Sequence, residues 1–120
     1  MDKTVRMALL FDLYGELLTE RQREFFGLYY NENLTLSEIA ENSGVSRQAV
    51  RDLVSKSEAA LEDIERKTNL LARFEQMNSD IVGLASCVKE INALNDSTFK
   101  SDALSGLCDT MTVLIERMKQ

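Results

Sequence analysis

The 120-residue chain contains no histidine, no proline and no tryptophan. Without histidine, the commonest general base and the commonest metal ligand are both missing. The two cysteines, Cys87 and Cys108, cannot by themselves complete a tetrahedral zinc site or form the disulfide framework of a small secreted domain. Both fall on or beside apolar stripes, so each is expected to act as a small buried hydrophobe. The glycines stand singly at positions 15, 27, 44, 83 and 106, and no phosphate-cradling GxGxxG or GxxxxGK loop exists. No apolar run approaches the roughly 18 residues of a membrane span. Near the N-terminus the apolar stretch Ala8 to Phe11 stops at Asp12, and no small-residue cleavage site follows. These absences lead us to expect a cytosolic, non-enzymatic protein with no cofactor and no metal.

What remains is helix-forming sequence. Missing prolines and scarce glycines remove the usual helix breakers, and no segment alternates polar and apolar residues over a strand's length. With 44% hydrophobic residues the chain can bury a core as one domain, or as a small module with a helical extension. The expected class is all-α.

The first helix is expected from about Asp2 to Tyr14, with Val5, Ala8, Leu9, Leu13 and the neighbours of Asp12 inward and Gly15 as a left-handed cap. Thr19-Glu20-Arg21-Gln22 matches a capping box and opens a second helix to Tyr30 with Phe25, Phe26, Leu28 and Tyr29 at core spacing. Thr35-Leu36-Ser37-Glu38 is another capping box. It starts a short helix, Leu36 to about Asn42, with Leu36, Ile39 and Ala40 inward. Ser43-Gly44-Val45 forms a turn in which Gly44 takes a positive φ, and Ser46 caps the next helix. That fourth helix has no obvious stop: Val50, Leu53, Val54, Ser57, Leu61, Ile64, Thr68, Leu71 and Phe74 continue one stripe for roughly 28 residues, about 40 Å. Asn78-Ser79-Asp80 marks a break. A fifth helix carries Ile81, Leu84, Ala85, Val88, Ile91 and Leu94, residues 95–100 form a polar linker, and a sixth carries Leu104, Leu107, Cys108, Met111, Leu114, Ile115 and Met118. The expected domains are 1–75, with the long fourth helix, and 76–120, a C-terminal extension.

Two helices joined by a short glycine-containing turn describe a helix-turn-helix. In such a unit, side chains early in the second helix reach base edges in the major groove. Here those positions are Arg47, Gln48, Ala49, Arg51 and Asp52, with Ser55 and Lys56 further along. Arginine forks onto guanine, glutamine onto adenine, and alanine touches a thymine methyl. Arg21 and Arg23, at the start of the second helix, are candidate phosphate contacts.

The stretch LLTERQREFFGLYYNENLTLSEIAENSGVSRQAVRDLVSKSEAAL, residues 17 to 61, resembles the region-4 helix-turn-helix of bacterial sigma factors. Over almost its whole length the chain resembles the YlxM family of small helix-turn-helix proteins. That resemblance implies a sigma-region-4-like unit with a long recognition helix and two further C-terminal helices. YlxM-family proteins are encoded beside components of the signal recognition particle, so the resemblance also implies an accessory or regulatory role in that pathway. It points to the particle RNA and the particle proteins as partners.

Charge opposes the simplest version of this reading. The chain carries 14 Lys+Arg against 20 Asp+Glu, a net charge of −6. Residues 19–56 hold Arg21, Arg23, Arg47, Arg51 and Lys56 against Glu20, Glu24, Glu32, Glu38, Glu41 and Asp52. Affinity for nucleic acid comes largely from phosphate neutralisation. A reader must therefore segregate its acids from the edge of the fourth helix; otherwise the same fold serves as a protein-interaction adaptor, and DNA, RNA and a protein surface all stay open as ligands. The C-terminal helices carry more apolar positions than a three-helix unit needs. A homodimer built from them is the expected outcome, presenting two recognition helices.

Overall fold

The computed structural model describes residues 1–119. It contains six α-helices: α1 Lys3–Tyr14, α2 Glu20–Tyr30, α3 Leu36–Ser43, α4 Arg47–Thr68, α5 Leu70–Leu94 and α6 Asp102–Met118. No strand occurs among the described residues, and none of the helices there is long and apolar enough to cross a membrane. The chain divides into two compact units, Met1–Leu71 and the residues from Ala72 onward.

The first unit is built on α4. Local chemistry sets its helix starts. In both capping boxes a threonine hydroxyl accepts an early amide while Gln22 or Glu38 reaches back to the cap backbone. Gly44 ends α3 at φ 68°, and the Ser46 hydroxyl accepts the Ala49 amide at 3.0 Å to begin α4. Phe25, Ile39, Ala40, Val50 and Val54 bury together inside the helix-turn-helix. Met7, Leu10, Tyr14, Leu18, Phe26, Leu61 and Leu71 form the second cluster, beneath α1. Phe26 stacks on Phe11 with ring centroids 4.8 Å apart.

Two local expectations fail here. The inward face of α1 is Met7, Leu10 and Tyr14, whereas Val5 and Leu13 are exposed. A run apolar on several sides leaves the choice to whatever packs against it, which is α4. Gly15 is not left-handed but has φ −54° and starts a short 3-10 turn. Its lack of a side chain serves packing, because a Cβ there would meet the Phe11 ring at 3.1 Å.

The long fourth helix is also shorter than its stripe suggests. It stops at Thr68, where Asn69 adopts φ 58° and its amide closes on the Glu65 carbonyl at 2.7 Å. Asparagine tolerates that left-handed conformation. A new helix starts at once, because the Glu65 carboxylate accepts the Leu71 amide at 3.0 Å and the Thr68 hydroxyl accepts that of Leu70. One out-of-helix residue leaves the apolar spacing almost unchanged, so the interruption is silent in the pattern. Conversely, residues 78–80 do not break: α5 runs through them, with Gln76 bonded to Asp80 one turn on.

The second unit is a hairpin of α5 and α6 around Ile81, Val88, Cys108 and Ile115, with Ala85 and Met111 packed alongside. Cys108 is buried as expected, but Cys87 is exposed, because it lies on the side of α5 away from that cluster. The expected polar linker is an ordered turn pinned by a fully buried side chain. Asn95 accepts the Ser101 amide at 2.7 Å and donates to the Ser101 carbonyl and the Ser105 hydroxyl.

A large apolar surface stays uncovered on this hairpin. Met77, Leu84 and Ile91 on α5, and Leu107, Leu114 and Met118 on α6, are 37% to 60% exposed. At 3.6 residues per turn the α5 set sits roughly 50° and the α6 set roughly 90° from its own helix's buried stripe, in the same rotational sense. In an antiparallel hairpin that places both sets on one side.

A candidate nucleic-acid interface along the fourth helix

Every candidate residue on α4 is exposed: Arg47, Gln48, Ala49, Arg51, Ser55 and Lys56. The helix buries Val50, Val54, Ser57 and Leu61. Stepping about 100° per residue from that stripe, Arg47, Arg51 and Ser55 fall on one flank. Gln48 and Asp52 lie opposite the core, and Ala49 and Lys56 on the other flank. Gln48 donates to Asp52 at 2.9 Å, so the sole acid between Ser46 and Lys56 is already engaged. Arg47, Arg51 and Lys56 make no ion pair with any described residue.

The acids further along α4 are taken up by the fold. Lys3 of α1 pairs with Glu58 at 3.0 Å, and the Tyr30 hydroxyl donates to the same carboxylate. Arg6 forks onto both oxygens of Glu62 at 2.7 and 2.8 Å. That hydrogen bond lowers the Glu62 pKa below the usual carboxylate value, outweighing partial burial. Glu65, itself buried, accepts the Tyr14 hydroxyl at 2.7 Å. Burial raises the Tyr14 pKa, and the Glu65 hydrogen bond raises it further, so the phenol keeps its proton as donor. Asp63 is claimed by Arg66 and Lys67. The acids of α4 beyond Asp52 thus serve internal contacts, and its first turns carry the unpaired cations.

The remaining candidates are dispersed. The Arg21 guanidinium lies 4.8 Å from the Phe25 ring centroid, and Arg23 is exposed on the same helix. Neither is among the residues lining the two adjoining hollows beside the flank formed by Arg47 and Arg51. The larger, about 540 Å³, is lined by Arg47, Tyr29, Tyr30, Asn33 and Leu34 among others; the smaller, about 300 Å³, by Arg51, Ser55, Val54 and Glu58. Lys3, Tyr29 and Leu36 line both. Helix-turn-helix spacing gave no hint of Lys3, which reaches this edge only because α1 folds across α4. Tyr29 read as a core residue and is half-buried.

Residues 1–99 match the model of the family described as "UPF0122: Putative helix-turn-helix protein, YlxM / p13 like". The chain belongs to that family. A UPF0122 protein of Halalkalibacterium halodurans is 42% identical over 114 residues, covering 95% of this chain and 98% of the relative. One from Shouchella clausii is 45% identical over 94 residues (78% and 86%), and one from Bacillus cereus 43% over 96 (80% and 87%). The matched segment takes in all of α1 to α5.

Proposed function

We propose that this protein is a nucleic-acid-binding regulator that meets its target through the exposed edge of α4. The observation that carries this reading is charge segregation within an acidic chain. Arg47 and Arg51 on one flank of α4, and Lys56 on the other, form no ion pair with a described residue, while Glu58, Glu62 and Glu65 are engaged by Lys3, Arg6 and Tyr14. Free cations on a helix edge neutralise phosphates, and the forked guanidiniums suit guanine edges or phosphate oxygens. In this reading, which the YlxM resemblance supports, the signal recognition particle RNA is a target of this edge and the protein an accessory of that particle.

The active form in this reading is a homodimer joined through the α5–α6 hairpin. The six exposed apolar side chains on that one side of the hairpin present on the order of 500 Å² together, as much as the largest patch of a typical monomer. A standard interface covers about 800 Å² per partner, somewhat over half of it apolar. A self-complementary pairing of two such hairpins into a four-helix arrangement meets that need.

The test is a salt-dependent titration of the protein against random duplex, single strands and the particle RNA. The substitution pair Arg47→Ala and Arg51→Ala is expected to reduce the slope of log K against log salt by roughly 1.5 to 2. Its melting temperature should stay within about 1 °C, because both side chains are exposed. Absence of binding to any nucleic acid at low salt refutes the reading. In that case the exposed hairpin face favours a protein-interaction adaptor that keeps the fold without contacting bases.

A further inference from the structure

We propose that the two hollows beside α4 form a pocket for one unpaired nucleotide, so that the preferred ligand is a single-stranded or bulged nucleic acid and not a continuous duplex. The inference rests on the reading of α4 as a nucleic-acid contact and specifies what that contact takes. A duplex reader needs its specific side chains on the outermost edge of the helix, where paired bases are reached across the major groove. Arg47 and Arg51 instead occupy the flank turned toward α1 and α2, where they wall a recess. A paired base cannot enter such a recess; a base splayed out of its strand can.

The recess has the chemistry such a base needs. Its larger part, about 540 Å³, falls within the range of small-ligand pockets. Tyr29 supplies an aromatic wall common to both parts and is braced edge-on by Tyr30, with ring centroids 5.0 Å apart at 87°. Leu36 adds an apolar surface beside it. The Asn33 side chain, which makes no hydrogen bond among the described residues, lies at the rim and matches the paired donor and acceptor of a base edge. Lys3, Arg47 and Arg51 face a single lining acid, Glu58. Glu58 is already bonded to Lys3 and the Tyr30 hydroxyl, so the lining carries a net charge of +2. An aromatic wall flanked by unpaired arginines is how proteins hold single strands, by stacking the base and tracking its phosphate.

Octanucleotides carrying one 2-aminopurine, in ribose and deoxyribose forms, test this against the same sequence annealed to its complement. Polyglutamate serves as a polyanion without bases. Expected are tighter binding of one or both single strands than of the duplex, and quenching of the 2-aminopurine emission on binding. Tyr29→Leu keeps an apolar side chain at a half-buried position. It should weaken single-strand binding about ten- to a hundredfold while leaving duplex binding within twofold. Tyr29→Phe, which retains the ring, should bind as the parent does. If Tyr29→Leu unfolds, Asn33→Ala at the exposed rim replaces it and should lower discrimination among bases. Equal binding of duplex, single strand and polyglutamate, or single-strand binding without quenching, overturns the pocket while leaving the phosphate-binding edge of α4 standing. If no nucleic acid binds at all, both readings fall together.

Discussion

Replacing Tyr14 by phenylalanine removes one oxygen from the place where α4 ends and α5 begins. Tyr14 is 3% exposed, and its hydroxyl donates to the Glu65 carboxylate at 2.7 Å and also contacts Thr68. Phenylalanine fills the same volume, so neither a cavity nor strain enters the account. What changes is that a buried carboxylate loses a donor while keeping the Leu71 amide at 3.0 Å. Hydrogen bonds to charged groups contribute about 1.5–3 kcal/mol, and leaving one partner unsatisfied in the interior costs a similar amount. We therefore expect a loss of about 2 kcal/mol, a fall in Tm of roughly 8–16 °C for a unit of this size. In urea the midpoint should drop by about 1 M with an unchanged m-value. Hydrogen exchange supplies a local check: the Leu71 amide, held by the same carboxylate, should exchange faster than amides of α3. A variant within about 0.5 kcal/mol of the parent would refute the claim that this carboxylate depends on the phenol.

Three further outcomes follow from other contacts. Glu62 has a folded-state pKa below its ordinary value of 4.5 because of the Arg6 hydrogen bond, so the pair stabilises the fold above that pH and the contribution disappears as pH falls through the lowered value. Both ends are about a third exposed, which limits the effect to about 0.5–1 kcal/mol. Glu62→Gln should flatten the acid limb of a stability–pH curve, and an unchanged limb would refute the assignment. Asn95→Ala strips the α5–α6 turn of its side-chain partners and should cost about 2–4 kcal/mol, read as accelerated exchange of the Ser101 amide. Leu84→Glu, at a position 48% exposed, should shift light scattering from a dimer toward the chain mass of 13.6 kDa. A parent protein already at that mass at micromolar concentration would reject the dimer.

Much of the first unit was legible in the sequence. The capping boxes at Thr19 and Thr35, the left-handed Gly44 and the Ser46 cap depend on residues within four positions of one another, and each formed as the pattern required. The end of α4 was not legible. Thr68-Asn69 interrupts the helix only because Glu65 and Thr68 are at hand to accept the next amides, and the Glu65 carboxylate is itself held by a tyrosine 51 residues away. Residues 78–80 misled in the opposite direction, since polar residues in an exposed helix face bond to their own neighbours and let the helix continue. At the candidate interface, the exposure of Arg47 and Arg51 was expected from spacing. Lys3 and Tyr29 did not, because no local rule says which edge of α4 another helix will border.

Sequence alone determined the helical class and the turn that sets α4 behind α3, because backbone capping and apolar periodicity act over a few residues. It also determined the excess of acids, though not where they point. Only tertiary packing decided that Glu58, Glu62 and Glu65 turn toward α1 and leave Arg47 and Arg51 free beside a recess. The reason is physical: charge placement depends on partners distant in the chain, and those meet only when the helices close on a common core.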